Sequence, residues 1–600
     1  MYPNYEQRQQ EFQATATALQ ERYTRLGWVR LVVFIGLVAL LIVAWRELPW
    51  WAGLLGTLLS IFGFARLVRQ HEQVQAAGRH QQHLADLQGQ ELASTQHDHR
   101  AWPTGEVFVD PQHPYTYDLD IFGAYSLYQK ICRAHTRAGQ QLLADWLAAP
   151  STTELVEARQ VAVTELAQQT DWQHHLRAQG AALDESPDQI KKLHEWLALP
   201  AVVQGNTVRT AALWVAPILF TVAMALWATV WPWYLALLLL VPAGLVLRGS
   251  FEEIQQLHAL TGKAAQTLRA YAAMLEQVES ATFTAPRLVH LQRQIGHEGS
   301  AASTAIRKLA YRLSQLDVRY NAFVFLLEFS VVWDLQQAYL LDKWKAKYRD
   351  DLPRWFAALA ELEALVSLGN LQLNHPAWSL PQIKEERRLT AHELGHPLLS
   401  ETTRVTNEMA MPTHGHIHLI TGSNMAGKST WLRTVGINIV LALAGSPVCA
   451  KRMELSPMQV YTSMRTTDAL HESTSSFYAE LKRLKFIISA VEDPQRTAGR
   501  PVFFILDEIL KGTNSRDRHT GAKALIRQLV ASNGAGLIAT HDLELAELEA
   551  EADGQMENWA MEVDINDGEL AFDYKIKRGV SQSFNATILM QRMGIQIQDF

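Results

Sequence analysis

Charged residues are scarce in this sequence: Asp, Glu, Lys and Arg make up 19% of the 600 residues, against about 25% in an average soluble protein. The formal net charge of −7 excludes a globally basic nucleic-acid-binding protein but not a local basic face. The two cysteines, Cys132 and Cys449, exclude a disulfide framework and favour a reducing compartment. Hydrophobic residues make up 48%, which excludes a disordered chain, and the length predicts about four domains.

Most of the charge deficit comes from three uncharged runs, Leu31–Trp45, Leu48–Ala65 and Thr210–Leu247, of 15, 18 and 38 residues. A membrane-spanning helix needs roughly 17–25 mostly apolar residues. Only two charged residues separate the first two runs, so these runs are predicted to form one transmembrane hairpin. A Trp-Pro-Trp sequence at 231–233 interrupts the third run, which is predicted to form a second hairpin. Buried core helices are the alternative interpretation. A cleaved signal peptide is not expected, because the first run begins late and a second follows at once.

Arginines mark the outer ends of these runs, whereas the hairpin tips contain only Arg46. The flanking residues are Arg22, Arg25, Arg30, Arg66, Arg69, Arg209 and Arg248. Tryptophans lie at the ends of the runs, as they do at membrane interfaces. The positive-inside rule therefore predicts a multi-pass protein of the cytoplasmic (inner) membrane, with the lipid bilayer as a partner and all large segments in the cytoplasm.

Changes in sequence pattern divide the chain into six predicted segments. The predicted fold class is membrane helical hairpins, an all-α core and lever domain, and a C-terminal α/β ATPase domain in which short β-like runs alternate with helices. The segments are an N-terminal hairpin at 1–69 (spans about 29–45 and 48–66), a helical stem and linker at 70–117, the first part of the helical core at 118–205, the second hairpin at 206–250, long core helices at 251–388, and the α/β domain at 389–600. Residues 70–100 of the stem are interpreted as a solvated helix or a coiled coil.

The strongest motif is a glycine-rich loop, G-x4-G-K-S, at residues 422–429. A strand-like run at 416–420 precedes it, and a helical pattern follows it. Backbone N–H groups of such a loop surround phosphate oxygens, Lys428 can reach the β and γ phosphates, and Ser429 can ligate Mg²⁺. The predicted nucleotide-binding residues are Gly422, Ser423, Asn424, Met425, Ala426, Gly427, Lys428, Ser429 and Thr430.

Two further strand ends supply acidic and polar groups. A buried-strand run at 502–506 ends in Asp507, the second predicted Mg²⁺ ligand, and Glu508, which can orient or deprotonate the attacking water. A third run at 536–540 ends at His541, which can sense the γ-phosphate. The predicted catalytic residues are therefore Lys428, Glu508 and His541, with ATP and Mg²⁺ as cofactors.

These segments resemble the MutS family of DNA mismatch repair ATPases. The matching parts are the Walker A segment at Thr421–Thr430, the Walker B segment at Leu506–Thr513, the His switch at Ala539–Leu548, the S-T-F-M-x-E signature at Ser475–Glu480, the start of the core domain at 118–160 and the lever helix at 358–368. The resemblance implies a homodimer of ABC-type ATPase domains, with each nucleotide between one subunit's loop and the partner's Ser475 and Ser476. It also implies an ATP-driven, clamp-like closure on a partner, for which double-stranded DNA and an unknown protein are the candidates.

The sequence departs from the family pattern at several places, two of which concern the partner and the nucleotide. Before residue 118, where mismatch repair members carry mismatch-reading and connector domains, this chain has the hairpin and stem, so mismatch recognition itself is not expected. The adenine-stacking aromatic of the family's F-x-x-N pattern is replaced by Arg404, three residues before Asn407. The resemblance implies that both residues contact the nucleotide, with the Arg404 guanidinium stacked on the adenine.

Three other interpretations stay open. The sequence His392–His396 fits the zinc-protease motif H-E-x-x-H, which would describe a membrane ATP-dependent zinc protease, although its glycine and the following proline disfavour the helix it needs. An ABC-type transport ATPase and a non-catalytic ATP-dependent dimer switch are the others. The alternating His414, His416 and His418 are interpreted as a solvated strand edge rather than a metal site.

Overall fold

The computed structural model describes residues 4–229, 232, 234, 238–262, 264–297, 300–317, 328, 330–465, 476–566 and 569–582. Within these residues, helices dominate the chain up to residue 374, and strands alternate with helices after residue 382. The chain thus has an N-terminal helical region and a C-terminal α/β region, as the fold class predicts.

Two long antiparallel helices, α1 (Tyr5–Glu47) and α2 (Trp50–Thr95), form the first hairpin. At the turn, the Leu48 N–H donates to the Ala44 carbonyl, and Pro49 precedes the next helix. The most apolar 18-residue windows of the two helices have 0% and 6% of their residues buried. The first two uncharged runs are therefore not core helices of this chain, and they present a large apolar surface.

The third uncharged run contains α8 (Thr207–Thr229) and the start of α9 (Val241–Thr261). The two helices contact each other, whereas the predicted tip at 231–233, apart from Pro232, lies outside the described residues. By length and composition, four described helices could cross a membrane: α1, α2, α8 and a later helix, Asp351–Asn374. The window of that later helix is 78% buried, so it is a core helix.

The helical region packs around this core helix, which contacts several neighbours along its length. A two-stranded ribbon, β1 (Gly296–His297) and β2 (Ser300–Ala301), joins two of the helices. The helices are α3 (Leu127–Ile131), α4 (Arg137–Ala148), α5 (Thr153–Gln168), α6 (Thr170–Gly180), α7 (Pro187–Ala198), α10 (Ala264–Glu279), α11 (Pro286–Ile295), α12 (Ala302–Asp317), α13 (Trp333–Tyr348) and α14 (Asp351–Asn374).

From Leu84 onward, α2 is packed against the helical region, which corrects the interpretation of this part of 70–100 as a solvated helix. Leu84, Leu87 and Glu91 are fully or almost fully buried, and α2 contacts α6. The polar side chains that suggested solvent exposure have partners inside the protein: Gln88 Nε2, for example, lies 3.1 Å from His174 Nδ1. The first hairpin is therefore anchored firmly in the helical region.

The α/β region contains a six-stranded sheet in the order β12-β11-β6-β10-β9-β8, in which β12 alone is antiparallel to its neighbour. A second sheet has the order β3-β7-β4-β5. The elements are β3 (Gln382–Ile383), β4 (Arg388–Leu394), β5 (Asn407–Pro412), β6 (Ile417–Gly422), α15 (Lys428–Ala444), β7 (Arg452–Leu455), β8 (Gln459–Ser463), α16 (Ser476–Glu492), β9 (Val502–Asp507), α17 (Ser515–Ala531), β10 (Ala535–Thr540), α18 (Leu548–Glu551), β11 (Met556–Asn566) and β12 (Glu569–Arg578).

The parallel register brings three strand ends to one edge of the large sheet. Thr540 of β10 pairs with Thr421 of β6, and Ala539 pairs with Asp507 of β9. Apolar side chains cover both faces: α16 and α17 cover one, and α15 covers the other, where it shares one continuous core with the helical region. The edge is therefore built on a rigid support, and open α/β sheets bind ligands at this carboxyl edge.

Candidate functional site

The glycine-rich loop connects β6 to α15 at this edge. Gly427 has a φ of 99°, a left-handed conformation that glycine adopts without strain. A Cβ on Gly422 would lie 2.5 Å from the Met561 carbonyl oxygen, so glycine permits the close approach of β11. Lys428 Nζ donates to the carbonyls of Gly422 (2.8 Å) and Ser423 (3.0 Å). These two hydrogen bonds hold the loop in a closed turn around the lysine side chain. The N–H groups of the first turn of α15 therefore open towards the space beside the loop.

A cavity of about 510 Å³ lies beside this loop. The predicted site residues that line it are Asn407, Ser423, Asn424, Met425, Ala426, Gly427, Lys428, Ser429, Thr430 and Glu508. Gly422, Asp507 and His541 are adjacent through their contacts with these residues. Ser475 lies outside the described residues, and Ser476 begins α16 with its side chain outside the described part of the chain.

The groups predicted to act together are close to each other. His541 Nε2 lies 2.7 Å from Glu508 Oε1 and 3.3 Å from Lys428 Nζ. Lys511 Nζ forms an ion pair with Glu508, at 3.1 Å. The hydrogen bond with His541, together with Lys511, lowers the pKa of Glu508 to about 2, so the carboxylate is ionised at neutral pH. Burial lowers the pKa of Lys428 to about 8, although Glu508 and Asp507 oppose this shift.

Asp507 has the surroundings expected of a metal-binding carboxylate. Burial raises its pKa, and the neighbouring Ser429 side chain opposes this shift. Its Oδ1 atom is buried without a hydrogen-bond partner among the described residues. Mg²⁺ prefers oxygen ligands, and a carboxylate oxygen without a hydrogen bond beside a serine hydroxyl can bind it. The residues present therefore fit the predicted Mg²⁺ site.

Arg404 and Asn407 have structural partners near the cavity. Arg404 Nε donates to the His396 carbonyl at 3.1 Å and Nη2 to the Leu399 carbonyl at 2.7 Å, and Arg404 does not line the cavity. Asn407 Nδ2 donates to the Tyr574 carbonyl at 3.0 Å, and its Oδ1 accepts from the Ile576 N–H at 3.0 Å. Asn407 thus fixes the backbone of β12 at Tyr574.

Tyr574 is a site residue that the sequence reasoning missed. Its side chain is 42% exposed and lines the cavity. Its ring lies nearly parallel to that of Phe572 and so close to the loop that a Cβ on Gly427 would be 3.0 Å away. The sequence around Tyr574 carries no motif that indicates this position, because its ring reaches the loop only through the pairing of β12 with β11.

The H-E-x-x-H sequence lies mostly on a strand, not on a helix. β4 ends at Leu394, and Glu393 has a φ of 52°. His392 is exposed and pairs with Glu408, whereas His396 is buried. The motif needs both histidines on one helical face. The structure therefore does not support the zinc-protease alternative.

His416 and His418 do not form a solvated edge, which corrects the prediction. Their side chains are 8% and 3% exposed, because β6 is a central strand between β10 and β11. Glu557 lies opposite His418 on β11. Burial lowers the pKa of His416 and lowers that of His418 to about 3, so both imidazoles are neutral at pH 7.

Comparison with known proteins finds similarity to one family over the C-terminal part of the chain. The family model described as MutS domain V matches residues 418–593. The DNA mismatch repair protein MutS of Aquifex pyrophilus is 34% identical over 226 residues, covering 37% of this chain and 25% of that protein. The corresponding MutS of Persephonella marina is 31% identical over 242 residues (40% and 27%), and that of Dinoroseobacter shibae is 30% identical over 296 residues (46% and 32%). The chain thus spans about a quarter to a third of the length of these curated relatives. The C-terminal part of the chain is therefore similar to MutS domain V and to these DNA mismatch repair proteins.

Proposed function

We propose that this chain is a membrane-anchored, MutS-like ATPase that binds and hydrolyses ATP in the cavity beside residues 422–430. The observation that carries the proposal is the meeting of Lys428, the Asp507–Ser429 pair and the Glu508–His541 pair at one cavity, from three different strand ends. Structurally independent strands rarely place an ammonium, a buried carboxylate with a free oxygen and an ionised carboxylate around one space unless a charged ligand is bound there.

Each residue has a role that follows from its surroundings. The backbone N–H groups of the loop and the Lys428 ammonium bind the phosphates, whose charge offsets the desolvation of this partly buried lysine. Ser429 and Asp507 would hold Mg²⁺, which when bound neutralises phosphate charge. Glu508 orients the attacking water and accepts its proton. His541 contacts both Glu508 and Lys428, so it can link the phosphate group to the carboxylate.

The membrane part of the proposal rests on the exposed apolar helices. The windows of α1, α2 and α8 are between 0% and 17% buried, and arginines flank the predicted spans on the side of the large segments. Helices α2 and α9 continue without interruption from apolar sequence into the packed helical region. We propose an inner-membrane location with the ATPase region in the cytoplasm, and these continuous helices as the connection between the two.

The dimeric part of the proposal rests on family resemblance. A partner copy would add Ser475 and Ser476 to the nucleotide, and ATP binding would close the two copies around a partner. DNA is the partner printed in the names of the relatives. For this chain, double-stranded DNA and an unidentified protein are the candidates.

Lys428→Ala tests the proposed function in the full-length protein in detergent. Loss of the phosphate-binding ammonium is expected to lower ATP turnover by about 100-fold or more and to weaken ATP binding. Lys451→Ala is the matched control, because Lys451 is an exposed lysine of the same region that pairs with Glu393. Wild-type protein that neither binds nor hydrolyses ATP, or equal activity of Lys428→Ala and wild type, would refute the proposal.

Tyr574→Ala is expected to weaken ATP binding by roughly 5- to 20-fold, because aromatic stacking on a base contributes about 1–2 kcal/mol. Tyr574→Phe preserves the ring and is expected to bind like the wild type. Inorganic tripolyphosphate has no base, so its affinity should not change in Tyr574→Ala. An equal loss for ATP and tripolyphosphate would show that Tyr574 supports the loop rather than the adenine.

A further inference from the structure

Two histidines and a glutamate meet between β6 and β11, outside the nucleotide cavity. His418 Nε2 lies 3.3 Å from Glu557 Oε2, and His416 Nε2 lies 3.9 Å from Glu557 Oε1. One ligand atom from each residue lies within 4.8 Å of the other two. The imidazole rings are tilted by 73° with their centroids 5.4 Å apart, so both can face one point.

Both histidines present a buried ring nitrogen that makes no hydrogen bond. The Nε2 atoms of His416 and His418 are buried without a hydrogen bond among the described residues. Buried polar atoms are normally hydrogen-bonded, so two such atoms beside one carboxylate need an explanation. A cation that binds the lone pairs of the imidazole nitrogens provides one.

The distances between the possible ligand atoms are close to those around a small cation with tetrahedral coordination. Zinc bonds of about 2.0–2.1 Å to nitrogen and oxygen place tetrahedral ligand atoms roughly 3.3–3.4 Å apart. The His418–Glu557 distance already has this value. All three ligand atoms lie within 4.8 Å of one another, so side-chain movements of at most about 1.5 Å would complete the set. Arg578 Nη1, 3.5 Å from Glu557 Oε2, balances the carboxylate charge and also pairs with Glu549, so it has another partner if Glu557 turns towards a cation.

We propose that His416, His418 and Glu557 bind a divalent cation of the zinc class. Two neutral imidazoles and one carboxylate are a set that Zn²⁺ takes readily, with water as the fourth ligand. The cation would join β6, which leads into the phosphate-binding loop, to β11, whose hairpin partner β12 carries Tyr574. Metal binding therefore stabilises the nucleotide-binding edge of the sheet from its opposite end.

A second group of possible ligands, His519, Asp542 and Glu544, provides an internal comparison. His519 Nδ1 already hydrogen-bonds with Asp542 Oδ2 at 2.8 Å, and Asp542 Oδ1 accepts the Glu544 N–H. His519 Nδ1 and both Asp542 oxygens thus already have hydrogen-bond partners. The side chains of this group are also partly exposed, whereas His416 and His418 are buried. It therefore serves as the control for adventitious binding.

The test is Zn²⁺ titration of full-length, metal-stripped protein in detergent, with bound metal measured by mass spectrometry and thermal unfolding followed in parallel. Wild type is expected to bind about one Zn²⁺ per chain and to melt at a higher temperature when it does. His418→Ala and Glu557→Gln are expected to weaken Zn²⁺ binding by at least about 100-fold, whereas His519→Ala and His414→Ala should bind like wild type. Glu557→Gln keeps the side-chain shape, so it remains informative if His418→Ala fails to fold.

Cobalt substitution gives a readout that does not depend on stability. Co²⁺ in a tetrahedral nitrogen and oxygen site absorbs strongly in the visible range, and this absorption should appear in wild type and in His519→Ala but not in Glu557→Gln. No binding by wild type, or binding that survives Glu557→Gln and disappears in His519→Ala, would overturn the proposal. Neither measurement uses ATP, so the result is independent of the proposed ATPase activity.

Discussion

Replacing Glu508 by glutamine is expected to lower the rate of ATP hydrolysis by at least about 100-fold, the usual contribution of a general base, while ATP binding is retained. Glutamine has the shape of glutamate but cannot accept a proton from water. It would also lose the ion pair that Glu508 forms with Lys511 and change its hydrogen bond with His541. Because Lys428, Ser429 and the loop are unchanged, the phosphates keep their binding groups. The variant should therefore accumulate in the ATP-bound state.

The measurement is a pair of assays on the full-length protein: steady-state phosphate release and equilibrium binding of ATP. Glu544→Gln is the matched control, because Glu544 is an exposed glutamate that follows the neighbouring strand β10. Unchanged turnover in Glu508→Gln, together with ATP-dependent dimerisation, would instead favour the ATP-dependent dimer switch. Loss of ATP binding in Glu508→Gln would contradict a purely catalytic role.

The ATP-bound variant also discriminates between the candidate partners. Duplex, branched and mismatched DNA can be tested over a salt series, because binding to phosphates weakens steeply as salt increases. Binding to all three with a strong salt dependence would support a clamp on DNA without mismatch recognition. No binding to any of them would leave a protein as the partner.

The phosphate-binding edge could be predicted because its determinants are local. Each strand is a short apolar run that ends directly in a polar residue, and a parallel sheet brings such ends together. The predicted run at 502–506 corresponds to β9 (Val502–Asp507), and the run at 536–540 corresponds to β10 (Ala535–Thr540). Asp507 and Glu508 therefore lie where the sequence places them.

Features that depend on distant residues could not be predicted in the same way. His416 and His418 are predicted to be exposed because they alternate with apolar residues, a pattern typical of a strand with one solvent-exposed face. They are buried because β11, about 140 residues later in the chain, pairs with β6. Tyr574 reaches the loop for the same reason, since β12 follows β11 as a hairpin. The Gln- and His-rich end of α2 is likewise buried by helices far away in sequence.

Glu91→Gln is expected to lower the free energy of unfolding of the helical region by about 3–5 kcal/mol, the cost of removing one partner from a buried ion pair. The Glu91 side chain is fully buried, and Arg133 Nε donates to its Oε1 at 2.7 Å, while Arg177 pairs with the same oxygen. Asn374 Nδ2 donates to the other oxygen at 2.8 Å. Without the carboxylate, two buried guanidinium groups would face each other with no anion between them.

The pH dependence follows from the same cluster. Burial acts to raise the pKa of Glu91, but Arg133 and Arg177 outweigh burial and lower this pKa well below its ordinary value. A carboxylate with a lowered folded-state pKa contributes stability above its unfolded pKa of about 4.5, and this contribution is lost as pH falls. The stability difference between wild type and Glu91→Gln should therefore be largest near neutral pH and shrink progressively below about pH 5.

Thermal unfolding of the full-length protein measures this effect, with an expected decrease in Tm of roughly 10 °C near pH 7. Asp86→Asn is the matched control, because Asp86 is an exposed carboxylate on the same helix. Glu91 lies on α2, and its partners lie on or next to the helices of the packed region, including Asn374 at the end of α14. If the two variants melt at the same temperature as wild type, the cluster does not anchor the first hairpin, and apolar contacts such as those of Leu84 and Leu87 must do so instead.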